Sequence, residues 1–169
     1  MIPAMSVVQA VILLVALERA VELIYAAWNT RNLRRRGAVE VGQGHYPLIV
    51  LLHAAWLAAL LVLVPPDTAP VWWLLALFAL LQGLRLWVLA SLGPYWTTRV
   101  LTLPDAPIVR RGPYRWVRHP NYLVVIAEIA ILPLAFRAWA VAALFSALNL
   151  ALILWRVRIE DRALAPRRA

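Results

Sequence analysis

The most restrictive feature of this sequence is a series of apolar runs that reach or approach the length needed to cross a lipid bilayer. A hydrocarbon core about 30 Å thick requires ~20 mostly apolar helical residues. Five segments predict transmembrane helices: 7–28, 47–64, 71–92, 121–136 and 138–155. The fourth is short and ends near Pro133, so four spans and a re-entrant segment are the alternative. The first carries charges and lacks a small-residue cleavage site, which disfavours a signal peptide.

The composition excludes the soluble alternatives. Hydrophobic residues make up 64% of the 169 residues and charged residues 15%, whereas soluble domains have roughly 45–50% and about 25%. A compact soluble fold of this size could not bury so much apolar side chain. The chain has no cysteine, which excludes disulfides and thiolate metal sites. We therefore expect one all-α integral membrane domain over residues 1–169.

The basic residues predict the orientation of the chain in the membrane. All 17 are arginine, and eight acidic residues leave a net charge of +9. They cluster after the first, third and fifth spans, including Arg31, Arg34, Arg35 and Arg36, then Arg99, Arg110, Arg111, Arg115 and Arg118, then Arg158, Arg162, Arg167 and Arg168. Basic loops stay in the cytoplasm, which predicts an outer N-terminus and a cytoplasmic C-terminus. Because the charge lies between apolar runs, no nucleic-acid partner is expected.

Several charged side chains fall inside the predicted spans. Such a charge costs at least ~2.5–3.5 kcal/mol, so each is a candidate for a site or for a buried ion pair. Glu18, Arg19 and Glu22 lie in the first span, Arg85 in the third and Glu128 in the fourth. Glu22 and Arg85 have two possible roles: they form an interhelical ion pair, or they belong to a substrate site.

The longest non-apolar segment, residues 93–120, predicts a ligand pocket. A loop of this length is usually functional or disordered, and its aromatic residues favour order at a membrane surface. Gly112-Pro113 predicts a turn, and His119-Pro120 predicts a helix start, where free N–H groups favour an anion. Arg115 and Arg118 suit carboxylates. These residues predict a pocket for a small ligand with a carboxylate and an aromatic part; a basic turn at lipid headgroups is the alternative.

Several common kinds of site have no motif in this sequence. There is no G-x-G-x-x-G or Walker motif, and no H-E-x-x-H, so nucleotide folds lack support and no metal site is expected. No serine stands in a nucleophile-elbow context.

Two motifs together resemble the isoprenylcysteine carboxyl methyltransferase family. They are Arg118-His119-Pro120-Asn121-Tyr122 and the later Arg156-Val-Arg-Ile-Glu160-Asp161, in a match over roughly residues 92–164. The segments Gly37-Ala-Val-Glu-Val-Gly, His45-Tyr-Pro and Trp96-Thr-Thr-Arg99 resemble a bacterial branch of that family. Members of that branch often accompany type III polyketide synthases and methylate alkylresorcinols or alkylpyrones.

The resemblance implies an S-adenosylmethionine-dependent O-methyltransferase in a bacterial inner membrane, with S-adenosylhomocysteine as product and a catalytic region over about residues 93–164. A cytosol-facing cofactor pocket would be formed by the loop before the fourth helix and by the C-terminal segment. The lipophilic acceptor would enter from the bilayer and carry either an alkylresorcinol- or alkylpyrone-type hydroxyl or an isoprenylcysteine-type carboxylate. A phospholipid N-methyltransferase and a non-catalytic membrane scaffold or transport subunit are the alternatives.

The resemblance also assigns roles to individual residues. The expected cofactor-binding residues are Gly112, Tyr114, Arg118, His119, Pro120, Asn121, Tyr122 and Glu160. Arg156 and Glu160 are the catalytic candidates, with Arg156 facing the acceptor oxygen. Candidates for binding the substrate are Trp96, Arg99, Glu22 and Arg85. We expect electrostatic positioning to matter more than base catalysis by Glu160 or His119.

Overall fold

The computed structural model describes residues 5–103, 106 and 109–164 as five long helices with a small β-ladder. The elements are α1 (Val7–Arg35), β1 (Val39–Glu40), α2 (Tyr46–Leu63), α3 (Trp72–Leu92), β2 (Leu101–Thr102), α4 (Pro120–Ala135) and α5 (Trp139–Leu164). Short 3-10 helices lie at Gln43–His45, Gly93–Tyr95 and Gly112–Arg115. The all-helical prediction is confirmed. Arg167 and Arg168 of the predicted basic tail lie outside the described residues.

Three of these helices are long and apolar enough to cross a membrane. Among the described residues, these segments are Gln43–Leu63, Trp72–Tyr95 and Trp139–Ala163. The two other predicted spans are also helical, but neither has both the length and the apolar character of these three. Helix α4 has only 16 residues, and α1 carries several charges. The structure thus supports a membrane-embedded helical protein with three candidate spans, and α1 and α4 pack beside them.

Helix α1 continues seven residues beyond the predicted end at residue 28. It begins with a capping box, in which Ser6 Oγ accepts from the Gln9 backbone and the Gln9 side chain accepts from the Ser6 backbone. It ends in a Schellman pattern, with Ala38 N donating to Leu33 O at 3.0 Å. The arginines expected in a loop therefore lie largely in the last helical turns, where they complement the helix dipole.

The hairpin of α4 and α5 organises the bundle. Helix α4 packs between α3 and α5, and α2 packs against α5 and α1. Their shared core is apolar and includes Trp56, Leu60, Ile129 and Leu132. Large apolar side chains on the outer faces stay exposed, such as Val62 at 79%. Exposed apolar faces of this extent mark a surface that contacts lipid or protein rather than water.

A two-stranded ladder ties the chain after α1 to the loop after α3. Strands β1 and β2 are antiparallel, with Val39 opposite Thr102 and Glu40 opposite Leu101. Val41 N extends the pairing by donating to Val100 O at 3.0 Å. The ladder brings residues about sixty positions apart together beside the site.

Candidate active site

A cavity of about 640 Å³ lies beside the first turn of α4 and the last turns of α5. Its volume falls within the range of small-molecule sites, about 300–1,000 Å³. The lining residues are Leu33, Ala38, Leu92, Tyr95, Trp96, Thr97, Arg99, Val100, Leu101, Leu103, Ala106, Val109, Arg110, Tyr114, Arg115, Arg118, His119, Asn121, Tyr122, Arg156 and Glu160.

The turn at Gly112 positions the loop that closes this cavity. Gly112 has φ +56, and a Cβ at this position would collide with Ser91 Oγ on α3. Only glycine combines this backbone with such a close approach. Arg111 Nε donates to Ser91 O at 2.7 Å and secures the same contact. The turn therefore packs on the end of α3 and directs the following residues toward α4.

His119 and Tyr122 lie at the start of α4. Pro120 occupies the first turn of that helix, where its missing N–H and fixed φ are tolerated. The His119 and Tyr122 rings stack with centroids 5.2 Å apart. His119 also faces the paired acids of α5, with Nδ1 3.7 Å from Glu160 Oε1 and Nε2 3.3 Å from Asp161 Oδ1. The two motifs thus meet in space.

A hydrogen-bonded chain joins Arg156, Tyr122 and Glu160. Arg156 Nε donates to Tyr122 Oη at 2.8 Å, and the Tyr122 hydroxyl donates to Glu160 Oε2. Arg156 Nη1 donates to Thr98 O at 2.8 Å, which joins α5 to the loop after α3. Arg156 and Glu160 are one helical turn apart, so they share a face of α5. A single tyrosine hydroxyl therefore couples a buried cation to a carboxylate at the cavity wall.

The cavity is strongly cationic. Five arginines line it against the carboxylate of Glu160: Arg99, Arg110, Arg115, Arg118 and Arg156. Burial raises the pKa of Tyr114 above its usual value, and the nearby charge of Glu160 raises it further. Asn121 Oδ1 is buried at the wall with no hydrogen-bond partner among the described residues. The wall thus offers cations, one carboxylate and a free amide acceptor.

Trp96 and Arg99 are positioned by residues that the motifs did not indicate. Asn29 of α1 is fully buried and donates to Gly93 O at 3.1 Å and Trp96 O at 2.9 Å. Glu40 of β1 pairs with Arg99 at 2.7 Å. Asn29 lies seven residues after Glu22, two turns further along the same face of α1, and this spacing is the signal that the sequence offers. Nothing in the local pattern of Glu40 reveals its partner, because that contact spans about sixty residues.

Glu22 and Arg85, which were also candidates for binding the substrate, do not line the main cavity. They form an interhelical ion pair with two contacts of 2.5 and 2.6 Å, and Arg85 Nη1 also binds Glu128 at 2.9 Å. The pair lines a separate cavity of about 330 Å³ between α1 and α3, not the main one.

The structure thus brings together nine of the sequence-predicted site residues at the main cavity: Trp96, Arg99, Tyr114, Arg118, His119, Asn121, Tyr122, Arg156 and Glu160. Gly112 and Pro120 support the wall without lining it.

Within the described residues, no group of three His, Cys, Asp or Glu side chains is arranged to hold a metal ion. The residues that line the cavity offer guanidinium, carboxylate, imidazole, amide and aromatic groups.

Comparison with known proteins identifies the family of the chain. Residues 74–166, more than half of the chain, match the isoprenylcysteine carboxyl methyltransferase (ICMT) family. The chain is 40% identical to Uncharacterized protein YpbQ of Bacillus subtilis strain 168, covering 90% of this chain and 94% of that protein. It is 25% identical to an uncharacterized protein of Haemophilus influenzae, over 81% of this chain and 83% of that protein. No solved structure shows a significant match. The chain belongs to the isoprenylcysteine carboxyl methyltransferase family.

Proposed function

We propose that this protein is an S-adenosylmethionine-dependent O-methyltransferase that acts on a lipophilic acceptor at the membrane. One observation carries the proposal: two motifs about 35 residues apart in the sequence meet at one cavity through the chain Arg156–Tyr122–Glu160. The cavity lies at the ends of helices with apolar outer faces. This position suits a site where a water-soluble cofactor and a lipid acceptor meet.

The residues present fit the cofactor. The aromatic rings of Tyr95 and Tyr114 offer surfaces for a flat base. Asn121 Oδ1 is a buried acceptor with no partner in the described part of the chain, and it suits an N–H donor such as the amine of the base. Arginine forks suit the amino-acid carboxylate, and Glu160 suits the ammonium group. The base, its amine, the carboxylate and the ammonium group of the cofactor thus each have a complementary partner in the wall.

When bound, S-adenosylmethionine supplies an electrophilic methyl group on a sulfonium. The protein's main contribution is to hold an acceptor oxygen in line at ~3–3.5 Å. Arg156 is only 8% exposed, and a cation in so dry a site stabilises an oxyanion strongly. A carboxylate acceptor arrives ionised, whereas a hydroxyl acceptor transfers its proton to the imidazole of His119, since Glu160 holds the ammonium group of the cofactor.

The charge of the cavity favours an oxygen acceptor over an amine. Five arginines face one carboxylate, so a cationic phospholipid amine is repelled while an oxyanion is attracted. The charged side chains between α1, α3 and α4 are paired with one another, as Glu22 is with Arg85 and Arg19 is with Glu128. This pairing disfavours a transport path through the bundle.

The proposal is tested by binding of labelled S-adenosylmethionine to the purified protein in detergent. Wild-type protein is expected to bind saturably, and His119→Ala and Glu160→Gln to lose affinity by about tenfold or more, as for a hydrogen bond to a charged group. Asp67→Asn is the matched control because Asp67 is exposed in the connection between α2 and α3. Absence of saturable binding by wild-type protein would refute the proposal.

The acceptor is identified by turnover in the same preparation. We expect methyl transfer to an alkylresorcinol or alkylpyrone, or alternatively to a farnesylcysteine analogue, and the two assays separate these classes. A rate that rises toward the pKa of the acceptor indicates a hydroxyl, while a flat profile above neutrality indicates a carboxylate. No transfer to either class would contradict the proposed substrates.

We further propose that the arginine-rich end of the bundle faces the cytoplasm of a bacterial inner membrane. Since the chain has no cysteine, a single introduced cysteine reports which side of the membrane its position faces. Asp67→Cys is expected to react with an impermeant maleimide in intact spheroplasts, and Arg35→Cys only after lysis. The reverse pattern would invert the orientation.

A further inference from the structure

Glu40 is a buried carboxylate shared by two arginines. Its side chain is 4% exposed, and it pairs with Arg99 Nη1 at 2.7 Å and with Arg34 Nη2. Burial of an ionised carboxylate is costly unless it is paired and hydrogen-bonded. Two guanidiniums share one carboxylate, so the cluster keeps a net charge of about +1. Glu40 therefore orients these cations without cancelling their attraction for an anion.

The backbone around Glu40 is anchored to the rest of the site. Glu40 lies in β1 opposite Leu101 of β2, two residues from Arg99. Gly42 has φ +67, and a Cβ there would collide with Ile159, the neighbour of Glu160 on α5. The strand is thus fixed to the cavity loop on one side and to α5 on the other. Its carboxylate is a fixed reference point for the Arg99 side chain.

Arg99 is held from two directions. One edge of its guanidinium binds Glu40, and its face lies over the Tyr46 ring at 4.2 Å from the centroid. A guanidinium carries five N–H donors, and the contact with Glu40 uses Nη1. Arg99 lines the main cavity and remains 34% exposed. Its orientation is set by the protein, while donors remain for a ligand.

We propose that Glu40 is a positioning residue that holds Arg99 as the binding group for an anionic oxygen of a cavity ligand. The inference rests on the proposed function, which supplies two sources of such an oxygen. One is the amino-acid carboxylate of the cofactor, and the other is the oxyanion of the acceptor. Glu40 acts through Arg99 and does not itself contact the ligand.

The first arm of the test compares two cofactor fragments on the full-length protein in detergent. S-adenosylhomocysteine carries the amino-acid carboxylate, and 5′-methylthioadenosine lacks it. If Arg99 binds this carboxylate, Glu40→Gln and Arg99→Gln each weaken S-adenosylhomocysteine binding by about tenfold, as for a charge-assisted hydrogen bond. Binding of 5′-methylthioadenosine is then unchanged, which a general structural defect would not produce.

The second arm measures steady-state kinetics with the acceptor. If Arg99 binds the acceptor oxyanion, the same variants raise the KM for the acceptor about tenfold, with S-adenosylhomocysteine affinity unchanged. Arg35→Gln is the matched control for Arg99→Gln, because both substitutions remove one positive charge. Arg35 is exposed and lies outside the cluster of Glu40, Arg34 and Arg99. Glu40→Asp keeps the charge and is expected to restore part of the lost affinity.

A double variant shows whether Glu40 acts through Arg99. The combined Glu40→Gln/Arg99→Gln protein is expected to lose no more than Arg99→Gln alone, since coupled residues are non-additive. Additive losses, or no change in either arm, would overturn the positioning role while leaving the methyltransferase proposal intact. Failure of wild-type protein to bind either cofactor fragment would overturn both. Arg99→Gln changes a partly exposed side chain, so it tests the anion site even if Glu40→Gln does not fold.

Discussion

The hydroxyl of Tyr122 is the atom whose removal tests the site most directly. It accepts from Arg156 Nε at 2.8 Å and donates to Glu160. Tyr122→Phe deletes only this oxygen and keeps the ring that stacks on His119 at 5.2 Å. The fold is therefore expected to survive while the coupling between the two motifs is lost.

The magnitude follows from how easily water replaces each lost partner. A hydrogen bond to a charged group contributes about 1.5–3 kcal/mol. Arg156 is only 8% exposed, so losing its hydrogen bond to Tyr122 costs an energy near the upper end of this range. The Glu160 side chain is 25% exposed, so water can replace the hydroxyl and the cost there is smaller. Since ~1.4 kcal/mol is a factor of ten, we expect cofactor affinity or methyl-transfer rate to fall by about 10- to 100-fold.

The assay combines titration calorimetry with S-adenosylhomocysteine, initial rates with the acceptor, and thermal unfolding in the same detergent. Tyr25→Phe is the matched control, since its ring stacks on Trp28 of α1 away from the main cavity. The control is expected to keep affinity and rate within about twofold. Tyr122→Phe protein that unfolds at the wild-type temperature, and binds and turns over as wild type, would refute the reasoning.

Three further predictions concern stability and pH. Gly112→Ala places a Cβ where φ is +56 and space is absent, and is expected to lower the free energy of unfolding by about 1–3 kcal/mol or more. Gly44→Ala, which meets open space, is expected to have a small effect in the same thermal assay. Arg85→Met removes the hydrogen-bonded cation shared by Glu22 and Glu128 and leaves them only the longer contacts with Arg19, at 3.4 and 3.6 Å. It is expected to cost up to about 3–5 kcal/mol in denaturant unfolding. The raised pKa of Tyr114 means that its unfolded phenol ionises first, so stability is retained below pH ~10 and lost as pH rises further. Tyr114→Phe is expected to reduce that alkaline loss in melts between about pH 8 and 11.

Each of these three predictions would be contradicted by a specific result. A Gly112→Ala protein as stable as Gly44→Ala would show that the turn adapts without strain. Unchanged unfolding of Arg85→Met would show that Arg19 alone satisfies Glu22 and Glu128. Identical alkaline profiles for wild type and Tyr114→Phe would show that this phenol remains solvated.

Local sequence patterns determined the helical architecture, because apolar length and turn residues act over short range. Pro120 and the preceding His119 predicted the start of α4, where the helix begins. Arg156 and Glu160 share a face of α5 because they are four residues apart on a helix with a 3.6-residue period. The exact ends were less predictable. Helix α1 runs on to residue 35, because no helix-breaking residue precedes Gly37.

Tertiary structure decided which polar groups meet. Glu22 and Arg85 pair with each other across two helices, away from the main cavity, because burial favours the nearest opposite charge over a distant ligand. Glu40 reaches Arg99 through the ladder, a contact that no periodicity encodes. The sequence alone therefore determined a helical membrane chain with two motifs, since those features are local. Packing alone decided which arginines are bound to partners and which line the cavity.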